Sequence, residues 1–405
     1  MELEGVSIFR CTIDFGLKSG LETLAKKGFG WICIRGLPYG DGKADPYAVV
    51  DYRRINPTAA GREAREGRAA REDMDWFERI LAQCHAAGLK VMIDLALDRC
   101  SPDSAYAREH PEWFLIEGQK PAAERGELAQ PEPGARLGRR RPDFQNTVDF
   151  DFSSSPALWM ELFSVLGFWR DKGIDGFLFD SAALVPLDFW KQARQRVNQY
   201  DPSLKKERCP LVWAASGASP SDLRRFRNKR IHALTDPELH AVFDLSLDVD
   251  GAERLGCSES PDCSESLGIA RGVEKFLEYL YAQETLYPAR AVKIRTIPFA
   301  SESGALLACF VPGALLASPE DEESTSPFLG LCAQLKSKAP HFSWSFEKNG
   351  VLSLRRQGTG GVGYLALLRL PDGADSNLEA ALPWGAEILY SGKDGGFPIL
   401  AKVGE

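Results

Sequence analysis

Short apolar runs alternate along this chain with longer segments whose apolar residues recur at helical spacing. The strand candidates are Gly5–Asp14, Gly30–Leu37, Lys90–Leu97, Gly176–Asp180, Leu211–Ala215, His232–Thr235, Ala291–Ile297 and Ala314–Ser318. A parallel strand needs a crossover of a dozen or more residues to return beside its neighbour, and an amphipathic helix supplies one. Eight such units suit a closed (β/α)8 TIM barrel of the α/β class better than an open sheet. At 405 residues the chain can hold that barrel and a small second module.

Two helices carry clear signals. Met74, Phe77, Ile80, Leu81 and Cys84 form one apolar stripe, and Gly88 stops that helix before the strand at Lys90. Trp159, Leu162, Phe163, Leu166 and Trp169 form a second, opened by Ser155-Pro156 and closed near Gly173. Aromatic side chains at this spacing pack a helix onto a barrel; they are not read as sugar-stacking platforms.

The rhythm is interrupted after the third strand. Residues 100–144 are rich in Pro, Gly and charge and read as an inserted loop or subdomain. After about Pro340, short runs around Leu352, Tyr364, Leu368, Ile388 and Tyr390 are split by turn residues, the pattern of a small antiparallel β domain. The expected organisation is a barrel over 1–337 and a β domain over 338–405.

Composition excludes several classes. A formal net charge of −8 gives no basic field for nucleic acid or an anionic membrane surface, and Arg136, Arg139, Arg140 and Arg141 read as a solvated loop. No stretch is long enough to span a bilayer, and the first residues have no export pattern, so the expectation is a cytoplasmic protein. The nine cysteines are scattered and several lie in apolar contexts, which fits packed thiols; Cys257 and Cys263 are a possible local pair. The five histidines are isolated and form no metal or triad pattern, and His85 reads as structural. Asp244–Gly251 superficially suggests cation ligation but lacks the spacing of a calcium loop, and reads as a helix-to-loop boundary of solvated acids.

Several segments, in this order, resemble glycoside hydrolase family 13, the α-amylase family. Gly28-Phe29-Gly30-Trp31-Ile32 looks like its second strand, and Tyr47-Ala48-Val49-Val50-Asp51-Tyr52 resembles the segment after it. His85 to Leu95 is similar to the run through the third strand, Glu112-Trp113-Phe114 echoes the motif beyond it, and Gly176-Phe177-Leu178-Phe179-Asp180 resembles the nucleophile strand. Phe310 to Leu316 is similar to the approach to the eighth strand.

The resemblance implies site residues by position. Asp180 takes the place of the nucleophile, Tyr47 that of a tyrosine stacked on the sugar, and Asp98-Arg99 that of an Asn-His pair contacting sugar. Other positions are altered. Ala48 replaces a hydroxyl-binding aspartate, Leu178 an arginine, and Ala215 aligns with the general acid; Phe299, Ala300 and Ser301 stand where Asn-His-Asp is expected. The family commonly carries calcium, but no complete ligand set is visible here, so no cofactor or metal is expected.

A retaining glycosidase needs one carboxylate to attack and a second carboxyl to protonate the leaving group. Losing the acid alone costs about 10²–10⁴-fold in rate. Losing the arginine removes a charge that keeps the nucleophile ionised. The leading expectation is therefore a catalytically degenerate member that binds an α-linked oligosaccharide or a protein partner. A second reading is an active retaining α-glycosidase or glycosyltransferase that uses Asp180 with a relocated acid. Glu302 is the first suspect for that acid, with Asp236 and Glu238 as further candidates. A third is a structural protein whose pocket is filled by Leu178 and Phe299.

Overall fold

The computed structural model describes residues 6–12, 20–42, 45–57, 68–117, 136–138, 146–198, 211–217, 223–224, 226, 233–247, 292–296, 302–319, 335, 339, 341–346, 351–358, 362–369, 382–383, 386–391 and 399–403. In chain order, β1 (Ser7–Cys11), α1 (Leu21–Lys26) and β2 (Trp31–Ile34) precede the ribbon of β3 (Pro38–Gly40) and β4 (Val49–Ile55). Next come α2 (Arg68–Ala86) and β5 (Lys90–Ala96), then β6 (Arg99–Cys100), α3 (Ala105–Glu109) and β7 (Val148–Asp149). The chain continues through α4 (Pro156–Lys172), β8 (Gly176–Asp180), α5 (Leu187–Val197), β9 (Val212–Ala215), α6 (Asp236–His240) and β10 (Leu245–Leu247). It ends with β11 (Val292–Thr296), α7 (Glu302–Phe310), β12 (Ala314–Ala317) and five strands, β13 (His341–Phe346), β14 (Val351–Gln357), β15 (Gly363–Arg369), β16 (Glu387–Ser391) and β17 (Ile399–Val403).

Eight strands form a closed barrel in the order β1–β12–β11–β10–β9–β8–β5–β2, and the last five form an antiparallel sheet. The fold is the (β/α)8 barrel with a C-terminal β domain that the sequence implies. By compactness the chain divides into two units. One is Cys11–Leu21 with Ile32–Ser246; the other is Met1–Arg10, Glu22–Trp31 and Leu247–Glu405.

In the first unit the two predicted stripes are buried. Phe77 and Leu81 of α2, and Leu162, Phe163, Leu166 and Trp169 of α4, are all at most 6% exposed. Ser155 caps α4, accepting the Ala157 amide, and Gly173 ends it at φ 99°, where a side chain would be strained. Gly176 opens β8 for a different reason: a Cβ there would lie 2.5 Å from the Val212 carbonyl, so the β8–β9 approach admits only glycine. Side chains alternate along β8. Phe177 and Phe179 turn to an aromatic cluster with Trp190, Trp213 and Phe243, with Phe179 and Trp190 centroids 4.6 Å apart. Leu178 and Asp180 take the opposite face. His85 is structural as expected, its Nε2 2.8 Å from Asp175, which also accepts the Val91 amide.

Two expectations are corrected. The sixth barrel strand is β10, not His232–Thr235. Thr235 instead heads α6, in a capping box where the Glu238 carboxylate accepts its amide at 2.7 Å. Asp244–Gly251 is correspondingly not a helix-to-loop boundary at its start. Asp244 accepts the Trp213 amide at 2.9 Å and an Arg194 bond at 2.6 Å, which anchors β10 beside β9.

In the second unit β13–β14–β15–β17–β16 buries Val351, Leu365, Leu367 and Ile399 on one face. Arg356, 2% exposed, donates to the carbonyls of Phe310, Val311 and Ala339. Two of these carbonyls stand at or just beyond the C-terminus of α7, where unpaired acceptors and the negative end of the helix dipole favour a cation. The described cysteines, Cys11, Cys33, Cys84, Cys100 and Cys309, are free and buried, whereas Cys257 and Cys263 lie outside the described residues.

Candidate functional site

After Lys90, β5 is apolar except for one residue facing the barrel interior, Asp94, which is 1% exposed. Its register neighbour on β8 is Leu178, and the next inward pair is Ala96 with Asp180. The strand ends in a tight turn that delivers Asp98 and Arg99, 1% and 0% exposed. The Tyr52 hydroxyl braces this turn, lying 2.9 and 2.7 Å from the Ala96 and Arg99 carbonyls. Burial pushes its phenol well above the usual range, so it stays a donor.

Arg99 joins the two strand ends. Its guanidinium donates to Asp98 at 2.8 Å, to Asp180 at 2.9 Å and to the Ser181 hydroxyl at 3.2 Å. Ser181 in turn donates to the same Asp180 oxygen, Oδ2, at 2.9 Å. Burial alone would lower the guanidinium pKa; the charges of Asp98 and Asp180 outweigh it and hold Arg99 above its ordinary value. Ser181 has φ 54°, the one non-glycine residue at positive φ among those described. Cys100, next to Arg99 in the chain, is inert, its thiol pushed up to about 12 by burial.

Tyr47 approaches the same network. Its hydroxyl is 3.1 Å from both Asp94 oxygens, and the Arg99 guanidinium carbon is 5.1 Å from its ring centre. At 6% exposure the ring is packed under arginine and is not open as a stacking platform in this conformation. Ala48 beside it is fully buried. The structure thus brings together Tyr47, Asp98, Arg99 and Asp180.

The altered positions fall differently. Leu178 is 3% exposed on the inward face below Asp180. Ala215 is fully buried and pairs with Phe179, so it lies on the aromatic side of the sheet; Ser216, half-buried, donates its amide to the Phe179 carbonyl and stands level with Asp180. Phe299, Ala300 and Ser301 lie outside the described residues. Glu302 opens α7 and its side chain is also outside them, as is that of Asp236. Glu238 is committed to its capping box.

Three participants escape a reading by motif: Asp94, Ser181 and Ser216. Asp94 alone leaves a trace, a carboxylate in an otherwise apolar strand. Among the described residues no group of three or more His, Cys, Asp or Glu is arranged to hold a metal ion, and Asp244 is already engaged. No described helix is long and apolar enough to cross a membrane. A cavity of about 370 Å³ in the C-terminal sheet, lined by His341, Ser343, Arg355, Gln357, Leu365 and Pro383 among others, carries none of the predicted site residues.

A closed parallel barrel followed by an antiparallel C-terminal sheet is the fold of α-amylases. Solved structures share this fold across nearly the whole chain. An α-amylase from Lactobacillus plantarum superposes with TM-score 0.69 at 21% identity, covering 98% of this chain and 99% of that one. A maltogenic α-amylase from Thermotoga neapolitana gives 0.64 at 19%, over 99% and 96%. An α-glucosyl transfer enzyme gives 0.61 at 16%, over 99% of each. In sequence the chain is similar to the α-1,4-glucan:maltose-1-phosphate maltosyltransferase of Salinibacter ruber, 32% identical over 131 residues, 32% of this chain and 18% of that protein. The enzyme of the same name from Mycolicibacterium smegmatis is 31% identical over 132 residues, 32% and 17%. The chain therefore matches less than a fifth of these relatives' length. No family model matches it.

Proposed function

We propose that this protein serves carbohydrate metabolism as a catalytically degenerate α-amylase-type barrel that binds an α-1,4-linked oligosaccharide at the mouth containing Asp180. One observation carries the reading. The position aligned with the family's general acid is Ala215, a buried alanine on the face of β9 away from Asp180, and Ser216 after it carries no carboxyl either. The inward neighbours of Asp180 are Ala96 on β5 and Ser216 beyond β9, while the buried carboxylates of Asp94 and Asp98 are engaged by Tyr47 and Arg99. A retaining mechanism needs a second carboxyl about 5–5.5 Å away. The ligand class is supported by the relatives, whose names specify α-1,4-glucan and maltose 1-phosphate.

A second reading is favoured by one feature. The Asp180 side chain is 23% exposed, and its hydrogen bonds from described residues fall on one oxygen, which leaves the other to attack an anomeric carbon. An active glycosidase or glycosyltransferase would then take its acid from Glu302.

The deciding experiment is a hydrolysis and transglycosylation screen on maltooligosaccharides, maltose 1-phosphate, sucrose and aryl α-glucosides, followed by calorimetry with the same compounds. The expected result is no turnover, with a heat of binding for maltooligosaccharides that is lost in Asp180→Asn. Turnover abolished by Asp180→Asn would overturn the degenerate reading, and its loss in Glu302→Gln would identify the acid. Neither turnover nor binding would leave a role in holding a protein partner.

A further inference from the structure

We propose that Arg99 is the relocated counter-charge of Asp180, replacing from the β5 turn the arginine that Leu178 lacks, so that Asp180 is held as an oriented hydrogen-bond acceptor. The inference deepens the binding reading above and rests on it for the ligand alone.

Three independent observations support it. First, Leu178 and Asp180 share the inward face of β8, and Leu178 brings no polar atom to the carboxylate. Among the described residues, the cation bonded to Asp180 comes from the neighbouring strand's end. Because a guanidinium is planar with its donors forked, it satisfies Asp98 and Asp180 together in a pre-organised geometry that a lysine's rotatable ammonium lacks.

Second, the backbone is held in an unfavourable state where this pair needs it. Ser181 occupies the left-handed region that residues with a Cβ avoid. That geometry lets its hydroxyl accept from Arg99 while donating to Asp180. An abandoned loop is free to relax; a conformation over-determined by its partners marks a site in use.

Third, the pinning is one-sided. Arg99 and Ser181 both take Oδ2, and the side chain is 23% exposed. A carboxylate fixed through one oxygen and open at the other suits a sugar hydroxyl as donor. Tyr47, stacked near the guanidinium, limits its rotation.

The test is reciprocal suppression. Arg99→Gln takes the cation from two carboxylates, and Leu178→Arg adds a second cation to a buried face, so each alone lowers the melting temperature. The double variant R99Q/L178R restores the family's arrangement and is expected to melt above the worse single variant and to recover at least half of the R99Q loss. That recovery should vanish when Asp180→Asn is added. A double variant no more stable than the worse single one, or one that does not fold, overturns the proposal, as does a recovery that survives Asp180→Asn. This arm uses no ligand. A second arm titrates maltoheptaose into wild type and Arg99→Lys. A loss of about tenfold in affinity is expected, the scale of one charge-assisted hydrogen bond. Wild type failing to bind would sink the sugar-binding reading while leaving the counter-charge result intact. Equal affinity in both proteins would overturn the acceptor role.

Discussion

Two networks in this molecule share one composition: an arginine, a carboxylate and a hydroxyl. At the barrel mouth they are Arg99, Asp180 and Ser181; on the helical side they are Arg53 of β4, Glu161 of α4 and Tyr106 of α3. The second is tight, with Glu161 Oε1 2.6 Å from Arg53 and 2.5 Å from Tyr106. Yet its two charged side chains are 33% and 27% exposed, whereas Arg99 is fully buried and also holds the buried Asp98. Tight geometry is common to both. What separates them is whether a broken bond can be replaced by water.

The largest expected effect follows from that difference. Arg99→Leu leaves Asp98 buried without its cation, and should cost roughly 3–5 kcal/mol in urea unfolding. Arg53→Leu should cost about 1 kcal/mol or less, because both groups can rehydrate. Equal losses would break the comparison. Ser181 sharpens it at an intermediate scale. Ser181→Ala removes a hydrogen bond to a charged group, worth roughly 1.5–3 kcal/mol. Ser181→Gly removes the same bond but relieves the left-handed backbone, and should be about 1–2 kcal/mol more stable than the alanine variant. Alanine and glycine variants of equal stability would show that position 181 carries no strain.

The same contrast explains what could be read from sequence. The barrel was legible because alternation and helical periodicity are local and repeat along the chain. β10 was missed because three residues, Leu-Ser-Leu, between acidic side chains carry too little apolar length to announce a strand, and its anchoring through Asp244 is a tertiary contact. The segment before it misled: His232-Ala-Leu-Thr reads as β-prone, although Thr235-Asp-Pro-Glu238 is a capping-box pattern that argues for a helix start. At the site, Asp98, Arg99 and Asp180 stood at predicted strand ends, and Arg99 bonds both carboxylates. Asp94 and Ser181 did not announce themselves, because what defines them is register across β5 and β8 and one backbone angle. Tyr47 shows the limit from the other side: its position follows from the resemblance, but its contact with Asp94, 47 residues away, is set by the folded chain.

The smallest effect is the most specific to the helical network. Burial would raise the Glu161 pKa, but the hydrogen bonds from Arg53 and Tyr106 outweigh it, and the carboxyl titrates below its usual range. A depressed folded value means the carboxylate's contribution is complete above the unfolded pKa, near 4.3, and is lost as pH falls through the folded one. The stability gap between wild type and Glu161→Gln should therefore be constant from about pH 5 to 8 and shrink below about pH 4. Partial exposure keeps the gap at about 1 kcal/mol or less, and added salt should narrow it further. A gap that stays constant down to pH 3 would mean that packing, not charge, holds β4 to α4. A gap as large as the Arg99→Leu loss would mean that burial is not what distinguishes the two networks.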